Sequence, residues 1–189
     1  MKIILIRHAQ TTIEPEKYNP LWSLSDKGIT GAQQLANSQL LQGMEVMYTS
    51  DQLKALHTGI IIASKLGVFV KQRADLTELT SLTNDWKADY GGFVNDIYSG
   101  VIERHGDGES LTEATQRFNQ AVAEIVVMEA DKQLIGIVAH GNVLALFAAQ
   151  FEQRDALTIH QAITMPDIAV FDWESKTFTV QFGHYEPSN

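Results

Sequence analysis

An arginine and a histidine stand side by side at the end of the first apolar segment of the chain. Residues 3–6 are Ile-Ile-Leu-Ile, and Arg7 and His8 follow directly. A short apolar run bounded by polar residues predicts a strand buried on both faces, and such strands belong to parallel sheets covered by helices. The loops beyond the carboxyl ends of these strands form the ligand crevice of α/β folds. The pair therefore lies where this fold class places its chemistry.

The two side chains suit phosphate or carboxylate chemistry. The Arg7 guanidinium is a planar, permanently charged fork that matches either anion. The His8 imidazole can act as a nucleophile or as a proton carrier near neutral pH. A strand-end histidine that only hydrogen-bonds a neighbour is the alternative for this pair taken alone, because motifs this short recur by chance.

A second apolar segment ends in the same way. Residues 134–139 predict another buried strand, and His140, Gly141 and Asn142 follow it. We expect Gly141 to let the backbone turn tightly. The apolar segment 143–151 predicts a helix that starts at this turn. Its free amides and positive dipole end would face an anion beside His140. Two buried strands that each deliver a histidine favour one shared site over two unrelated structural histidines.

The segments that must position these residues alternate between strand and helix patterns. Helices are predicted from Ser25, which is a candidate cap, from residue 53 to a stop at Gly67, and from the capping box of Ser110 and Glu113. Short strands are predicted at 46–48 and 68–70, and a hairpin of 167–173 and 177–182 is expected to be antiparallel at the sheet edge. The predicted buried stripes are Ile29, Ala32, Leu35, Ala36 and Leu40; Leu53, Leu56, Ile60 and Ala63; and Leu111, Ala114, Phe118, Val122 and Ile125.

Bulk composition narrows the class of protein. The 189 residues are 44% hydrophobic, which predicts one domain with a sizeable core. The net charge of -9 argues against nucleic acid or an anionic membrane as the main partner. The absence of cysteine excludes disulfides, thiolate catalysis and thiolate metal sites. The apolar run before Arg7 is too short for a signal peptide, and no stretch approaches the ~18 apolar residues of a membrane span, so we expect a cytoplasmic protein.

Six segments, taken in chain order, carry a resemblance to a known family. They are IILIRHAQT at the first strand, LSDKGITGAQQLA from Leu24, TSDQLKALHTG from Thr49, LTE ending at Glu78, GESL from Gly108 and IVAHGN from Ile137. Together they resemble the histidine phosphatases, the phosphoglycerate mutase-like superfamily, whose hallmark is Arg-His-Gly after the first strand. The resemblance implies an α/β fold, a three-layer α/β/α sandwich with a mainly parallel sheet. It also implies a single domain over 1–189 with a small cap insertion at approximately 79–109.

The resemblance also implies roles for individual residues. His8 would be the nucleophile that accepts a phosphoryl group as phosphohistidine, and Glu78 would be the general acid that protonates the leaving oxygen. Such a nucleophile must present an unprotonated nitrogen, so its other nitrogen should donate to a backbone carbonyl. No metal and no other cofactor is implied. The residues assigned to the phosphoryl group are Arg7, Lys54, His140, Gly141 and Asn142, with His140 counted among the catalytic residues.

Several positions depart from the family pattern. Lys54 stands where the family has a second phosphate-binding arginine, so the charge is kept but the bidentate fork is lost. A lost charged hydrogen bond of about 1.5–3 kcal/mol corresponds to roughly ten to a hundredfold in rate. Glu14 stands where many members have a phosphate-binding asparagine, and it would repel the ligand unless the loop turns it outward or Lys17 neutralises it. The milder changes are Ala9 for glycine, Gln10 for an acidic residue and Asp167 near a frequent asparagine.

The segment between Glu78 and Ser110 should cover the site and select the substrate. Acidic residues outnumber basic ones there, which ill suits a polyanion and favours a monophosphate ester with a neutral or apolar remainder. Four aromatic residues are candidates for contacting that remainder: Trp22, Trp86, Tyr90 and Phe93. The alternative is that these aromatic side chains only hold a small cap together. The other histidines, His57, His105, His160 and His184, are interpreted as structural or surface residues.

The function predicted from the sequence is metal-independent hydrolysis of a small phosphomonoester. Two alternatives stay open at this point. One is a catalytically weak or inactive member that binds a phosphorylated ligand or protein partner, for which Lys54 and Glu14 are the motivation. The other is a protein phosphohistidine phosphatase or a phosphoglycerate mutase. The expected partner is a small phosphorylated substrate, with no nucleic acid and no membrane, and the chain is expected to be a monomer or a homodimer.

Overall fold

A single mixed sheet runs through the molecule. The computed structural model describes residues 1–81 and 87–185. Its six strands are β1 (Lys2–Arg7), β2 (Val46–Thr49), β3 (Phe69–Gln72), β4 (Leu134–Ala139), β5 (Asp167–Asp172) and β6 (Thr177–Val180). Their order across the sheet is β3-β2-β4-β1-β5-β6. The first four strands are parallel, whereas β5 and β6 form the predicted antiparallel hairpin at one edge.

Helices cover both faces of this sheet. They are α1 (Asp26–Leu35), α2 (Leu53–Leu66), α3 (Tyr90–Tyr98), α4 (Leu111–Met128), α5 (Gly141–Ala148) and α6 (Ala156–Ala162). Short 3₁₀ turns lie at Asn19–Leu21, Gln39–Leu41 and Ala74–Leu76. No helix within 1–81 or 87–185 is long and apolar enough to cross a membrane.

The central strand shows why both faces are covered. Side chains alternate across a strand, so Ile3 and Leu5 of β1 join one core cluster while Ile4 and Ile6 join another. The first cluster packs against α3, α4, α5 and α6, and the second packs against α1 and α2. The apolar run of β1 is therefore explained by burial on both sides. The predicted three-layer sandwich with a mainly parallel sheet is confirmed.

The predicted caps of two helices are confirmed. Ser110 and Glu113 form the predicted capping box at the start of α4, and each side chain accepts from the other residue's backbone amide. Gly67 ends α2 in the left-handed conformation, with φ of 71°. The predicted stripe of α4 is also buried, apart from its first residue Leu111, which is only partly buried.

Other local predictions are wrong in extent or in phase. The first helix ends at Leu35, so Leu40 lies in a separate 3₁₀ turn, and Ile29 is exposed. In α2 the residue Ile60 is also exposed, because the buried face is formed by small residues that let the helix approach the sheet: Ala55, Thr58, Gly59 and Ala63, together with Ile62. The predicted helix over 143–151 begins at Gly141 and ends at Ala148. Helices α3 and α6 were not predicted.

The parallel pairing of β1 and β4 brings the two histidines together. Arg7 and Ala139 are register partners at the last position of the two strands, so His8 and His140 follow at the same edge of the sheet. The amide of His8 donates to the carbonyl of Ala139 over 3.0 Å, which continues the ladder by one residue. The shared site predicted from two strand ends is thus a result of strand register.

Candidate active site

A cavity of about 360 Å³ opens at the carboxyl ends of the parallel strands. It is lined by residues predicted to act on phosphate, which come from four parts of the chain: Arg7 with His8, Lys54, Glu78 and His140. Asn142, Trp22, Tyr90 and Phe93 also line the cavity. Trp86, the fourth predicted aromatic residue of the cap, lies outside the described residues.

His8 is buried, and its tautomer is fixed by the backbone. Its Nδ1 lies 2.8 Å from the carbonyl oxygen of Ala9. A carbonyl oxygen only accepts hydrogen bonds, so Nδ1 carries the proton and Nε2 keeps a free lone pair. This is the arrangement that a nucleophilic histidine requires. Burial holds the pKa of His8 well below its usual value, and the nearby charges of Lys54 and Arg7 lower it further.

His140 faces His8 from the end of β4. The two ring centroids are 5.2 Å apart, and His140 is fully buried. Its Nε2 lies 2.6 Å from the Ser50 hydroxyl, a buried group that was not predicted from the sequence. Burial lowers the pKa of His140 well below its usual value, and the proximity of His8 adds to the effect. Both imidazoles are therefore neutral near pH 7.

Arg7 is held by one end of its guanidinium. Its Nη1 donates to the carbonyl oxygen of Ile163 over 2.7 Å. Gly141 makes room for the other end, because a Cβ on Gly141 would lie 3.1 Å from Arg7 Cζ and 3.2 Å from His160 Nε2. Gly141 does not have a positive φ. The chain does turn sharply here, since β4 ends at Ala139 and α5 begins at Gly141, but the turn does not need the left-handed conformation of glycine. What needs glycine is the space for Arg7 and for the buried His160.

Glu78 occupies the start of α5. Its Oε2 accepts from the amide of Asn142 over 3.1 Å, and its Oε1 accepts from the amides of Leu79 and Val143 over 2.8 and 3.4 Å. The expectation that these α5 amides are free for a ligand is wrong in this structure, because the Glu78 carboxyl group accepts their hydrogen bonds. These bonds hold the Glu78 side chain against the start of α5.

Asn142 reaches toward the segment between Glu78 and Ser110 with its side chain. Its Nδ2 donates to the phenol oxygen of Tyr90 over 3.0 Å, which ties α5 to α3. Tyr90 is 44% exposed as a residue, but its phenol group is buried, and this burial together with Glu78 raises the pKa of Tyr90 to about 12, so the phenol is protonated at neutral pH. Assignment of Gly141 and Asn142 to a phosphoryl group stays a prediction.

Lys54 is buried and bonded to Asn19, a residue that was not predicted from the sequence. Its Nζ donates to the backbone oxygen of Asn19 over 3.2 Å and also to the Asn19 side-chain oxygen. The ammonium lies 5.9 Å from the ring centre of Trp22. Burial lowers the pKa of Lys54 to about 8. The negative charge of Glu78 opposes this shift without offsetting it, and the positive charge of Arg7 adds to it.

The remaining departures from the family pattern are accommodated by local contacts. Ala9 is fully buried, and its amide donates to the Thr58 hydroxyl over 3.0 Å. Glu14 pairs with Lys17 over 3.3 Å, so its charge is neutralised by the lysine that the sequence indicated. Asp167 is buried and accepts the amides of Thr164, Ile168 and Gly183, so its role is to fix the loops around the start of β5.

The predicted aromatic residues divide into structural and accessible ones. Trp22 is 6% exposed and donates its indole N–H to the Lys17 carbonyl, and Phe93 is buried against His105 with a centroid distance of 4.8 Å. These two residues pack in the pocket wall, and their contact with a substrate stays a prediction. All three residues line the cavity, but Tyr90 is exposed there. His105, which was interpreted as structural or at the surface, lines it as well.

The comparisons with known proteins agree with this arrangement. The sequence profile of the histidine phosphatase superfamily (branch 1) matches residues 3–183. The chain belongs to this superfamily. The profile spans nearly all of the chain, from the first strand to beyond the last one, and thus includes both strand-end histidines. No curated protein sequence matches the chain.

Several solved structures share the fold over nearly their full length. YhfR of Bacillus stearothermophilus is 22% identical, with a TM-score of 0.76 and 98% of both chains covered. A mycobacterial glucosyl-3-phosphoglycerate phosphatase in complex with inorganic phosphate is 20% identical, with a TM-score of 0.73 and 98% of both chains covered. A phosphoserine phosphatase mutant of Entamoeba histolytica is 20% identical, with a TM-score of 0.68 and with 97% of this chain and 96% of that chain covered. At these identities the likeness is one of fold alone.

Proposed function

We propose that this histidine phosphatase hydrolyses small phosphomonoesters through a phosphohistidine on His8, without a metal ion. The observation that carries the proposal is the fixed tautomer of a buried, neutral imidazole whose Nδ1–H is held by the Ala9 carbonyl. A nucleophilic nitrogen is thereby presented in a cavity that also contains two cationic side chains, Arg7 and Lys54.

The reaction has two displacement steps at phosphorus. In the first, Nε2 of His8 forms a bond to phosphorus while the ester P–O bond breaks, and the protonated Glu78 carboxyl gives its proton to the leaving oxygen. In the second, the Glu78 carboxylate takes a proton from water, whose oxygen bonds to phosphorus while the P–N bond breaks. Arg7, Lys54 and His140 stabilise the charge on the phosphoryl oxygens in both transition states. Inorganic phosphate is released and the free imidazole returns.

The rim of the cavity supports a substrate whose remainder is neutral or apolar. Four large, exposed apolar or aromatic side chains line the cavity: Ile13, Tyr18, Tyr90 and Met165. Exposed apolar groups gathered around one cavity mark a surface that a ligand covers. Among the described residues, one cationic side chain lines the cavity in addition to Arg7 and Lys54, and this is Lys87. One further cation suits a monoester better than a bisphosphate or another polyanion.

The experiment that tests the proposal is hydrolysis of a panel of monoesters in the presence of a chelator. The panel contains four substrates: an aryl phosphate, a long-chain alkyl phosphate, a sugar bisphosphate and a phosphohistidine-bearing protein. The activity of His8→Ala on each substrate is compared with that of wild type. We expect turnover of the first two substrates, little turnover of the bisphosphate and none with His8→Ala. Acid-labile labelling of wild type by a phosphoryl donor is expected to disappear in the same variant.

The opposite results identify the alternatives. Equal inactivity of wild type and His8→Ala on every substrate would leave a catalytically inactive protein that binds a phosphorylated ligand or protein partner. Preference for the phosphorylated protein would indicate a protein phosphohistidine phosphatase. Phosphoryl transfer between phosphoglycerates without net release of phosphate would indicate a mutase. Activity abolished by the chelator would contradict the mechanism.

A further inference from the structure

We propose that Asn19 is a positioning residue that holds the Lys54 ammonium in the phosphate pocket, so that an Asn–Lys pair does the orienting that a single arginine fork does alone. The proposal rests on the proposed function in assigning Lys54 to phosphate. It adds a residue that neither the sequence patterns nor the family resemblance identifies. Asn19 lies in a surface turn, far along the chain from Lys54, and lines the same cavity.

The hydrogen bonds of the pair leave a defined capacity for a ligand. An ammonium group has three N–H donors and no acceptor. Two of these donors go to the backbone oxygen and the side-chain oxygen of Asn19. Because an ammonium can only donate, the carboxamide must face it with Oδ1 and not with Nδ2. One N–H of Lys54 therefore remains for a phosphoryl oxygen, and its direction is fixed by the other two.

This fixation matters because lysine is otherwise a poor orienting group. Its charge sits at the end of four flexible methylene groups, whereas an arginine presents a rigid fork of donors to a phosphate. Two anchoring oxygens on one rigid turn restrict the ammonium to a single position. An orientation that is set before the ligand arrives reduces the entropy lost on binding.

The turn that carries Asn19 is itself anchored to the core. Asn19 begins the 3₁₀ turn Asn19–Leu21, and its backbone oxygen also accepts the amide of Trp22 over 3.0 Å. Trp22 is buried, and its indole N–H donates to the Lys17 carbonyl over 2.9 Å. The same indole ring lies under the Lys54 ammonium. Asn19 is thus held in place by bonds that do not depend on a ligand.

The charges around Lys54 make its protonation sensitive to Asn19. The groups that face it are Arg7 and His8 from the end of β1, Glu78 from the loop before α3, and His140 from the end of β4. Both imidazoles are neutral, so Arg7 and Glu78 act as the opposing charges. Burial nevertheless lowers the pKa of Lys54 to about 8. Removal of a group that stabilises the ammonium should therefore lower this pKa further, and a titration can measure the change.

The test measures the pKa of Lys54 directly, by NMR of protein labelled at lysine Cε, with the signal assigned by its loss in Lys54→Arg. We expect titration near pH 8 in wild type, a lower pKa in Asn19→Ala and a higher pKa in Asn19→Asp, whose carboxylate stabilises the ammonium. Asn37→Ala, which removes an exposed asparagine bonded only to its own helix end, is the matched control and should leave the titration unchanged. An unchanged pKa in both Asn19 variants would overturn the proposal.

The same variants are then examined with inorganic phosphate by calorimetry below pH 8. Asn19→Ala is expected to weaken phosphate binding about tenfold in the wild-type background, the size of one charged hydrogen bond. In the Lys54→Arg background, where a fork replaces the pair, the same change should cost less than about twofold. Equal losses in both backgrounds would mean that Asn19 acts on the fold and not through Lys54.

These readouts separate the proposal from the proposed function. If wild type hydrolyses no ester but the titration and the phosphate affinities change as expected, Asn19 positions Lys54 in a binding protein and the enzyme assignment alone is wrong. If wild type hydrolyses esters while Asn19→Ala leaves both the pKa and phosphate affinity unchanged, the enzyme assignment stands and the positioning role is wrong.

Discussion

The floor and the rim of the cavity are built in opposite ways. The floor consists of Arg7, His8, Glu78 and His140, and each side chain is fixed by a bond to the backbone or to a buried hydroxyl. The rim consists of Ile13, Tyr18, Tyr90 and Met165, which are exposed and come from loops and from the start of α3. A fixed floor suits a reaction that is common to many substrates, and an exposed rim suits the selection of one substrate.

This difference predicts that substitutions in the floor change the rate of the chemical step, whereas substitutions in the rim change which ester is accepted. The two kinds of effect can be distinguished by comparing kcat and KM over several esters.

After loss of the nucleophile itself, the largest effect is expected for Glu78→Gln. The amide keeps the shape and one acceptor oxygen, but it cannot give a proton to the leaving oxygen. We expect kcat to fall at least about a hundredfold for alkyl phosphates, which have poor leaving groups, and much less for an aryl phosphate with an acidic phenol. Steady-state kinetics over a series of leaving groups measures this. An equal loss for all leaving groups would show that Glu78 acts only as the cap of α5.

A smaller effect, on stability, is expected for Thr58→Val beneath the floor. The buried Thr58 hydroxyl accepts from the Ala9 amide and donates to the Lys54 carbonyl, and valine has the same shape without these bonds. Leaving the buried amide unpaired should lower the free energy of unfolding by about 1–3 kcal/mol in urea titrations. Thr30→Val, at an exposed threonine that also bonds its own helix, is the control and should cost less than about 0.5 kcal/mol.

Gly141→Ala tests the space behind Arg7. The added methyl group would lie 3.1 Å from Arg7 Cζ, so the guanidinium must move by a few tenths of an ångström. We expect kcat/KM to fall about tenfold for every ester, because phosphate orientation is common to all of them. Gly91→Ala is the control, since the nearest atom to its Cβ is 3.8 Å away. A loss confined to one ester would assign Gly141 to substrate selection instead.

The smallest effect is expected at the rim, for Ile13→Ser. Ile13 is 64% exposed, so the change should leave folding nearly unaffected. We expect KM for a long-chain alkyl phosphate to rise about threefold, while kcat/KM for the smallest ester stays the same. Val127→Ser, at an exposed position on α4 that does not line the cavity, should change neither value. An equal rise for all esters would break the distinction between floor and rim.

Features that depend on local chemistry could be predicted from the sequence. The apolar runs predicted β1 and β4 because burial on both faces requires continuous apolar residues, and the capping box predicted the start of α4 because both of its bonds lie within four residues. The phases of α1 and α2 were only partly predicted. In α2 the buried face is made of small residues that pack close to the sheet, and hydrophobicity does not reveal that requirement.

The same distinction between local chemistry and tertiary packing applies to the candidate active site. By itself the sequence determined the residue types at the ends of β1 and β4, and with them the family, because these positions follow directly from the strands. Only the tertiary structure decided which atoms remain for a ligand. The Ala9 carbonyl selects the tautomer of His8, Glu78 takes the amides of α5, and Asn19 takes two donors of Lys54. The bond of His8 joins neighbouring residues, and the sequence predicted a backbone acceptor for it. The bonds of Glu78 and Lys54 join groups that are far apart in the chain, so they depend on loop packing that no local pattern of residues specifies.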